Sequence, residues 1–124
     1  MTTRFIRFES ATPNLRGTYP GVFALANGLA RDGRLSDADT RWLRVSNARC
    51  DAAYTDPTTV VPDCYDRTLN PGAKAWFKET ADELVELTAG YLDLLDRYGV
   101  AWVRRTTDAP GRITYEDDVQ VVAV

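Results

Sequence analysis

The strongest periodic pattern in the chain is a seven-residue repeat of large apolar side chains. Its members are Phe77, Leu84, Tyr91 and Tyr98. This spacing returns to one face of an α-helix every two turns, and an Asn-Pro pair before it and Gly99 after it are typical start and stop signals. The pattern predicts one helix over residues 71–98, about 42 Å long at ~1.5 Å per residue. Gly90 inside it predicts a bend or a close backbone approach.

An αα-hairpin is predicted before this helix, over residues 20–54. Its first helix has apolar residues at helical spacing, with Thr18 or Tyr19 as the N-cap and Gly33 at the position that ends it. Ser36 follows as the N-cap of the second helix, with acidic residues in the first turn. The two helices are therefore separated only by a short turn.

Three segments predict β-strands. Residues 3–9 are rich in Phe and Ile, and residues 100–106 and 112–122 alternate between apolar and polar side chains. The Pro-Gly pair at residues 110–111 has the signature of a type II turn. We therefore expect a single α+β domain, 1–124. Its small antiparallel sheet, an N-terminal strand plus a C-terminal β-hairpin, packs against the αα-hairpin and one long helix.

The predicted hairpin has a register that pairs charges with charges. A tight turn pairs Arg104 with Asp117 and Arg105 with Glu116. The same register places Asp117 on the packed face beside Tyr115. Cross-strand ion pairs on a sheet surface are one interpretation. The other is a partly buried carboxylate beside an arginine, whose pKa would be perturbed and which could take part in proton transfer.

Composition excludes several classes of site. The chain has no histidine, which removes His-based triads, proton shuttles and metal sites. Two cysteines 14 residues apart match no common zinc pattern, and we expect no metal and no cofactor. A net charge of −3 argues against nucleic acid as a partner. No stretch suits a membrane span or a signal peptide, so we expect a cytoplasmic protein with free thiols.

The candidate binding residues come from four places: the loop before the first helix, the end of the αα-hairpin, the long loop over residues 55–70, and the β-hairpin. They are Arg16, Tyr19, Tyr54, Tyr65, Arg67, Arg104, Tyr115 and Asp117. A helix start near Arg16 can hold a carboxylate or phosphate, and the tyrosines with Arg67 can form the rim of a pocket. The alternative for each group is a local structural role, in loops held by their own side chains.

These patterns favour a non-enzymatic binding or protein–protein interaction module of a bacterial cytoplasmic type. Its partner is expected to be another protein or a second copy of the chain, bound at the exposed part of the long helix or at the sheet edge. The alternative is a small His-free enzyme acting on a small anionic or polar metabolite through Asp117, Arg104, Tyr115 and Arg16. Neither hypothesis includes a membrane.

Overall fold

The computed structural model describes residues 3–124 as a mixture of helices and strands. The elements are β1 (Phe5–Ser10), α1 (Val22–Arg31), α2 (Asp37–Ala53), β2 (Lys74–Lys78), α3 (Asp82–Arg97), β3 (Trp102–Thr107), β4 (Ile113–Glu116) and β5 (Gln120–Ala123). The strands form one sheet in the order β3-β1-β2-β5-β4, with antiparallel pairing between β1 and β2, β2 and β5, and β4 and β5. The predicted α+β class with a small antiparallel sheet is confirmed.

The chain divides into two compact units. The strand unit contains the N-terminal residues up to Arg7, Thr55–Val85 and Arg104–Val124. The helix unit contains Phe8–Tyr54 and Glu86–Val103. Three elements, β1, α3 and β3, contribute residues to both units, so each unit is built from segments that are distant in the sequence.

The αα-hairpin of the helix unit forms as predicted. Gly33, at φ +70°, follows the C-cap of α1, and the Ser36 hydroxyl caps α2 by accepting from the Asp39 N–H at 3.1 Å. The N-cap prediction for α1 was wrong: Gly21, not Thr18 or Tyr19, is the N-cap. Residues 20–21 are held in an extended conformation by pairing with the end of β1, so the helix begins only at Val22.

The core of the helix unit is built around α3. Its buried members are Val22, Ala26, Leu29, Leu43, Tyr91, Leu94 and Leu95. Gly90 marks a close approach, as predicted: a Cβ there would lie 2.5 Å from Cζ2 of Trp42. Glycine is therefore required because the Trp42 ring packs directly on the helix backbone.

The prediction of one helix over 71–98 was wrong for residues 71–81. Gly72 has φ +76°, Lys74–Lys78 forms strand β2, and α3 covers only Asp82–Arg97. Sixteen residues give a helix of about 24 Å, not 42 Å. β2 is a central strand, with β1 on one side and β5 on the other. Its backbone hydrogen bonds to two neighbours outweigh the local helical pattern, so the repeat from Phe77 is not a helical stripe.

The predicted hairpin register was also wrong. A C-terminal hairpin is present, but β4 and β5 form it, while β3 stands at the opposite edge of the sheet. Arg104 on β3 therefore does not pair with Asp117. The connection over residues 108–112 leads from β3 at one edge to β4 at the other, and β5 instead pairs Val121 with both Trp76 and Glu116.

A cluster of polar side chains holds the start of α2 to the end of α3 in the helix unit. The Arg97 guanidinium donates to both oxygens of Asp39, at 2.9 and 3.0 Å, and the Tyr98 hydroxyl donates to the same carboxylate at 2.7 Å. These bonds, first from Arg97 and then from Tyr98, lower the pKa of Asp39 from 3.8 to about 2. The ionised carboxylate is therefore the form that the fold favours.

This cluster predicts a loss of stability in acid. The pKa of Asp39 is lower in the folded chain than in the unfolded chain. Ionised Asp39 therefore makes its full contribution to the free energy of unfolding above about pH 4, and this contribution disappears as the pH falls towards 2. We expect Asp39→Asn to remove that part of the pH dependence of the free energy of unfolding, measured by urea denaturation from neutral pH downward. Asp37→Asn, which removes a neighbouring carboxylate outside this cluster, is the control. Equal pH profiles for the two variants would contradict the prediction.

Candidate functional site

Arg16 and Tyr19 lie in the loop before α1 and are both exposed. The Asn14 carboxamide oxygen organises this loop by accepting from the backbone N–H groups of Arg16 and Thr18, each at 3.0 Å, and from the Thr18 hydroxyl. The loop is thus held by its own side chains. The Arg16 guanidinium remains at the surface of the helix unit.

The residues predicted to form one rim belong to different units. Tyr54 is half-buried, is the C-cap of α2 and belongs to the helix unit. Tyr65 and Arg67 belong to the strand unit. Partial burial raises the pKa of Tyr65 to about 12, although part of its ring remains exposed. A hydroxyl with that pKa stays protonated at neutral pH and can donate a hydrogen bond to a partner.

The segment over residues 55–73 is a structured surface. Two carboxylates hold its turns: Asp56 accepts from the Thr58 N–H at 2.9 Å, and Asp66 accepts from the N–H groups of Thr68 and Leu69, both at 2.8 Å. Cys64 of this segment is completely buried, and burial raises the pKa of its thiol. A thiol in this environment is a core residue and a poor nucleophile.

Asp117 and Tyr115 do come together, but in a turn. Asp117 accepts from the Tyr115 hydroxyl at 2.7 Å and from the backbone N–H groups of Val119 and Gln120 at 2.9 and 3.0 Å. The Gln120 amide also donates to Asp117 at 3.2 Å and to the Thr55 carbonyl at 2.9 Å. Partial burial opposes ionisation of Asp117, but these hydrogen bonds lower its pKa overall. Its carboxylate therefore closes the β4–β5 hairpin, and the lowered pKa does not suit a general acid at neutral pH.

Three exposed aliphatic side chains lie on or near β4, the last strand of the sheet. Ile113 stands opposite Ala123 and Val124 opposite Arg112, so the side chains of Ile113 and Val124 lie on opposite faces of the sheet. Arg112 and Val124 exchange both backbone hydrogen bonds, at 3.2 and 2.9 Å, and the Arg112 guanidinium donates to the Asn70 side chain at 2.9 Å. Leu69 precedes Asn70 in the chain, and Ile113 follows Arg112. Leu69 is 61% exposed, Ile113 45% and Val124 37%. These three side chains and strand β4 are called the edge surface below.

Acidic residues outnumber basic residues in the segments that carry the edge surface. The neighbouring 55–73 segment has three of them, Asp56, Asp63 and Asp66, against one basic residue, Arg67. The β4–β5 hairpin has Glu116 and two aspartates beside it, against Arg112, and Glu116 pairs with Lys78 at 2.7 Å. These segments therefore have an excess of acidic residues.

Sequence reasoning did not identify the edge surface. Leu69 and Val124 carry no pattern that distinguishes an exposed aliphatic residue from a core one. Ile113 lies in a period-two stretch, where the prediction assigned it to a paired strand. The bulge between Ile113 and Tyr115 breaks that alternation, so these two residues pair with the adjacent β5 residues Ala123 and Val122. Exposure at a sheet edge depends on which strand is last in the sheet, and this order is not a local property.

No group of three or more His, Cys, Asp or Glu side chains is arranged to hold a metal ion within residues 3–124. The helices in this part of the chain are all too short or too polar to cross a membrane. Comparison with protein-family models, with curated proteins and with solved structures finds no match to this chain.

Proposed function

We propose that this chain is a non-enzymatic protein-interaction module that binds an extended, basic segment of a partner protein along β4. One observation carries the proposal: the exposed aliphatic residues Leu69, Ile113 and Val124 all lie on or near the last strand of the sheet. Proteins usually protect such an edge with charged residues or cover it. An apolar edge instead suits the addition of a strand from another chain.

The geometry of β4 supports a short bound segment. The strand has four residues, Ile113–Glu116, and it contains the bulge between Ile113 and Tyr115. A bulge interrupts regular pairing, so backbone hydrogen bonding to a partner would extend over only a few residues. The exposed aliphatic side chains would supply most of the affinity, as apolar anchors do at interfaces.

Charge supports a basic partner. Acidic residues outnumber basic residues in the 55–73 segment and in the β4–β5 hairpin, which together carry the edge surface. Complementary charge increases the rate of association and rejects partners of the wrong sign. We therefore infer a partner segment in which apolar side chains alternate with Lys or Arg.

A random-peptide phage library selected on the purified full chain tests this proposal. We expect enrichment of extended sequences with alternating apolar and basic residues. Ile113→Asp should weaken the binding of a selected peptide at least about tenfold, because it places a charge in the apolar anchor site. Val45→Asp is the matched control, since Val45 is an exposed aliphatic residue of the helix unit. Fluorescence anisotropy with the labelled peptide gives the dissociation constants.

Two results would overturn the proposal. One is a selection without enrichment, or with peptides that bind wild type and Ile113→Asp equally well. The other is a dimer in sedimentation velocity at micromolar concentration that Ile113→Asp converts to a monomer, because a second copy of the chain would then occupy the edge surface. A monomeric wild-type chain that binds the selected peptides supports the proposal.

A further inference from the structure

One face of the sheet in the strand unit has a small buried cluster of Phe5, Trp76 and Val121. Val121 stands directly opposite Trp76 on β5, and Phe5 stands opposite Lys78 on β1. Side chains two positions apart along a strand share a face. Lys74 and Lys78 therefore flank the Trp76 ring, and this arrangement is called the Trp76 face below.

The indole N–H of Trp76 has no acceptor. The side chain is only 8% exposed, and its Nε1 atom is buried without a hydrogen-bond partner among residues 3–124. By contrast, the Trp102 Nε1 donates to Asp96 at 2.8 Å. Buried indole N–H groups normally have a partner, so the unpaired Trp76 N–H is an exception that needs an explanation.

The cationic side chains around Trp76 are further hydrogen-bond donors. Lys78 pairs with Glu116 at 2.7 Å, and the Arg7 guanidinium donates to the Ala75 carbonyl at 3.0 Å. The Lys74 ammonium has neither a hydrogen bond nor an ion pair within the described chain. Lysine and tryptophan side chains are donors only. The Trp76 indole N–H and the Lys74 ammonium are therefore two donors on one face without a protein acceptor in the described chain, while the Glu116 carboxylate on that face is paired with Lys78.

The use of lysine at this face is selective. The chain has 13 arginines and only two lysines, Lys74 and Lys78, and both lysines flank Trp76. Lysine differs from arginine in its compact charge and in a flexible stem that can lie along an aromatic ring. The chain departs from its general use of arginine at the one place where the unpartnered indole lies.

We propose that the Trp76 face binds the phosphate group of a small ligand. Phosphate oxygens accept from the Trp76 Nε1–H and from the Lys74 ammonium, and flexible neighbours such as Lys74 move to let the group reach the indole. Lysine binds phosphate as a flexible point charge, whereas the planar fork of arginine matches both carboxylate and phosphate. This inference does not rest on the edge surface, because neither Trp76 nor Lys74 belongs to it.

Nuclear magnetic resonance of the ¹⁵N-labelled full chain tests the proposal. The three tryptophans give three indole cross-peaks, and Trp76→Phe identifies the one from Trp76. We expect a saturable downfield shift of this cross-peak during titration with inorganic phosphate, at an ionic strength kept constant with chloride. A cross-peak that does not move, or that moves equally with chloride alone, would overturn the proposal.

Two variants make the test specific. Lys74→Met keeps most of the stem and removes the charge, and it should weaken phosphate binding by about tenfold or more, since a charge-assisted hydrogen bond is lost. Arg41→Met removes an exposed cation outside the Trp76 face and should leave the dissociation constant within about twofold of wild type. Equal binding by Lys74→Met and wild type would refute the role of Lys74. An equal response to acetate would refute the assignment to phosphate in favour of a carboxylate.

Discussion

Replacement of Tyr91 by Ala is expected to lower the free energy of unfolding by about 3–5 kcal/mol, the usual cost of deleting a buried aromatic ring. Tyr91 is 1% exposed. Its ring makes edge-to-face contacts with Phe23 and Trp42, with centroids 4.5 and 5.3 Å away. The substitution therefore removes the centre of the helix-unit core. Urea denaturation followed by circular dichroism measures the change.

Tyr91→Phe is the matched control for this prediction. It keeps the ring and removes only the hydroxyl, which donates to the Asn47 carboxamide oxygen at 2.7 Å. We expect a cost of about 1 kcal/mol, typical of one hydrogen bond. If the two variants had the same stability, the ring contacts with Phe23 and Trp42 would not stabilise the unit. If Tyr91→Ala changed oligomeric state without changing stability, Tyr91 would be an interface residue and its burial in the core would be refuted.

The second large effect is expected at Gly111. This residue has φ +117°, and a Cβ there would overlap the Val124 carbonyl oxygen. Gly111→Ala therefore combines a backbone conformation that favours glycine with a clash against backbone, at a cost of about 3 kcal/mol in unfolding free energy. The clash separates Val124 from Arg112, so we also expect weaker binding of any peptide selected on the edge surface.

Gly72→Ala distinguishes the two causes. Gly72 also has a positive φ, +76°, but a Cβ there meets nothing within 4 Å. Its expected cost is only the left-handed conformation, about 1–2 kcal/mol. Urea denaturation of both variants should therefore place Gly111→Ala clearly below Gly72→Ala in stability. The reverse order would show that the close approach of Gly111 to Val124 is unimportant for the fold.

Local signals determined the elements that depend on neighbouring residues only. Ser36 caps α2, and Gly33 and Gly99 follow α1 and α3 with φ +70° each. The reason is that a cap or a left-handed turn is completed within a few residues. Gly90 was similarly informative. A glycine inside a helix destabilises it, and the close contact with Trp42 explains why a glycine is nevertheless present.

The candidate site illustrates what local patterns leave undecided. The sequence placed Tyr115 and Asp117 on one face and paired Asp117 with Arg104, but the hydrogen bond that forms is the one from Tyr115 to Asp117. Their role in a turn depends on the position of Gln120 and on the strand to which β5 pairs. The edge surface and the Trp76 face were not visible, because both depend on strand order and on which side chains share a face of the sheet.

The seven-residue repeat shows the division between sequence and tertiary structure most directly. The sequence by itself determined that Leu84 and Tyr91 belong to one helix and that the helix ends before Gly99. Only the tertiary structure decided that Phe77 belongs to a strand, because β2 gains its hydrogen bonds from β1 and β5, which are remote in the chain. Helix hydrogen bonds form between residues four apart, whereas strand hydrogen bonds require a partner strand. For this reason, the sequence alone could define the end of α3 but not its beginning.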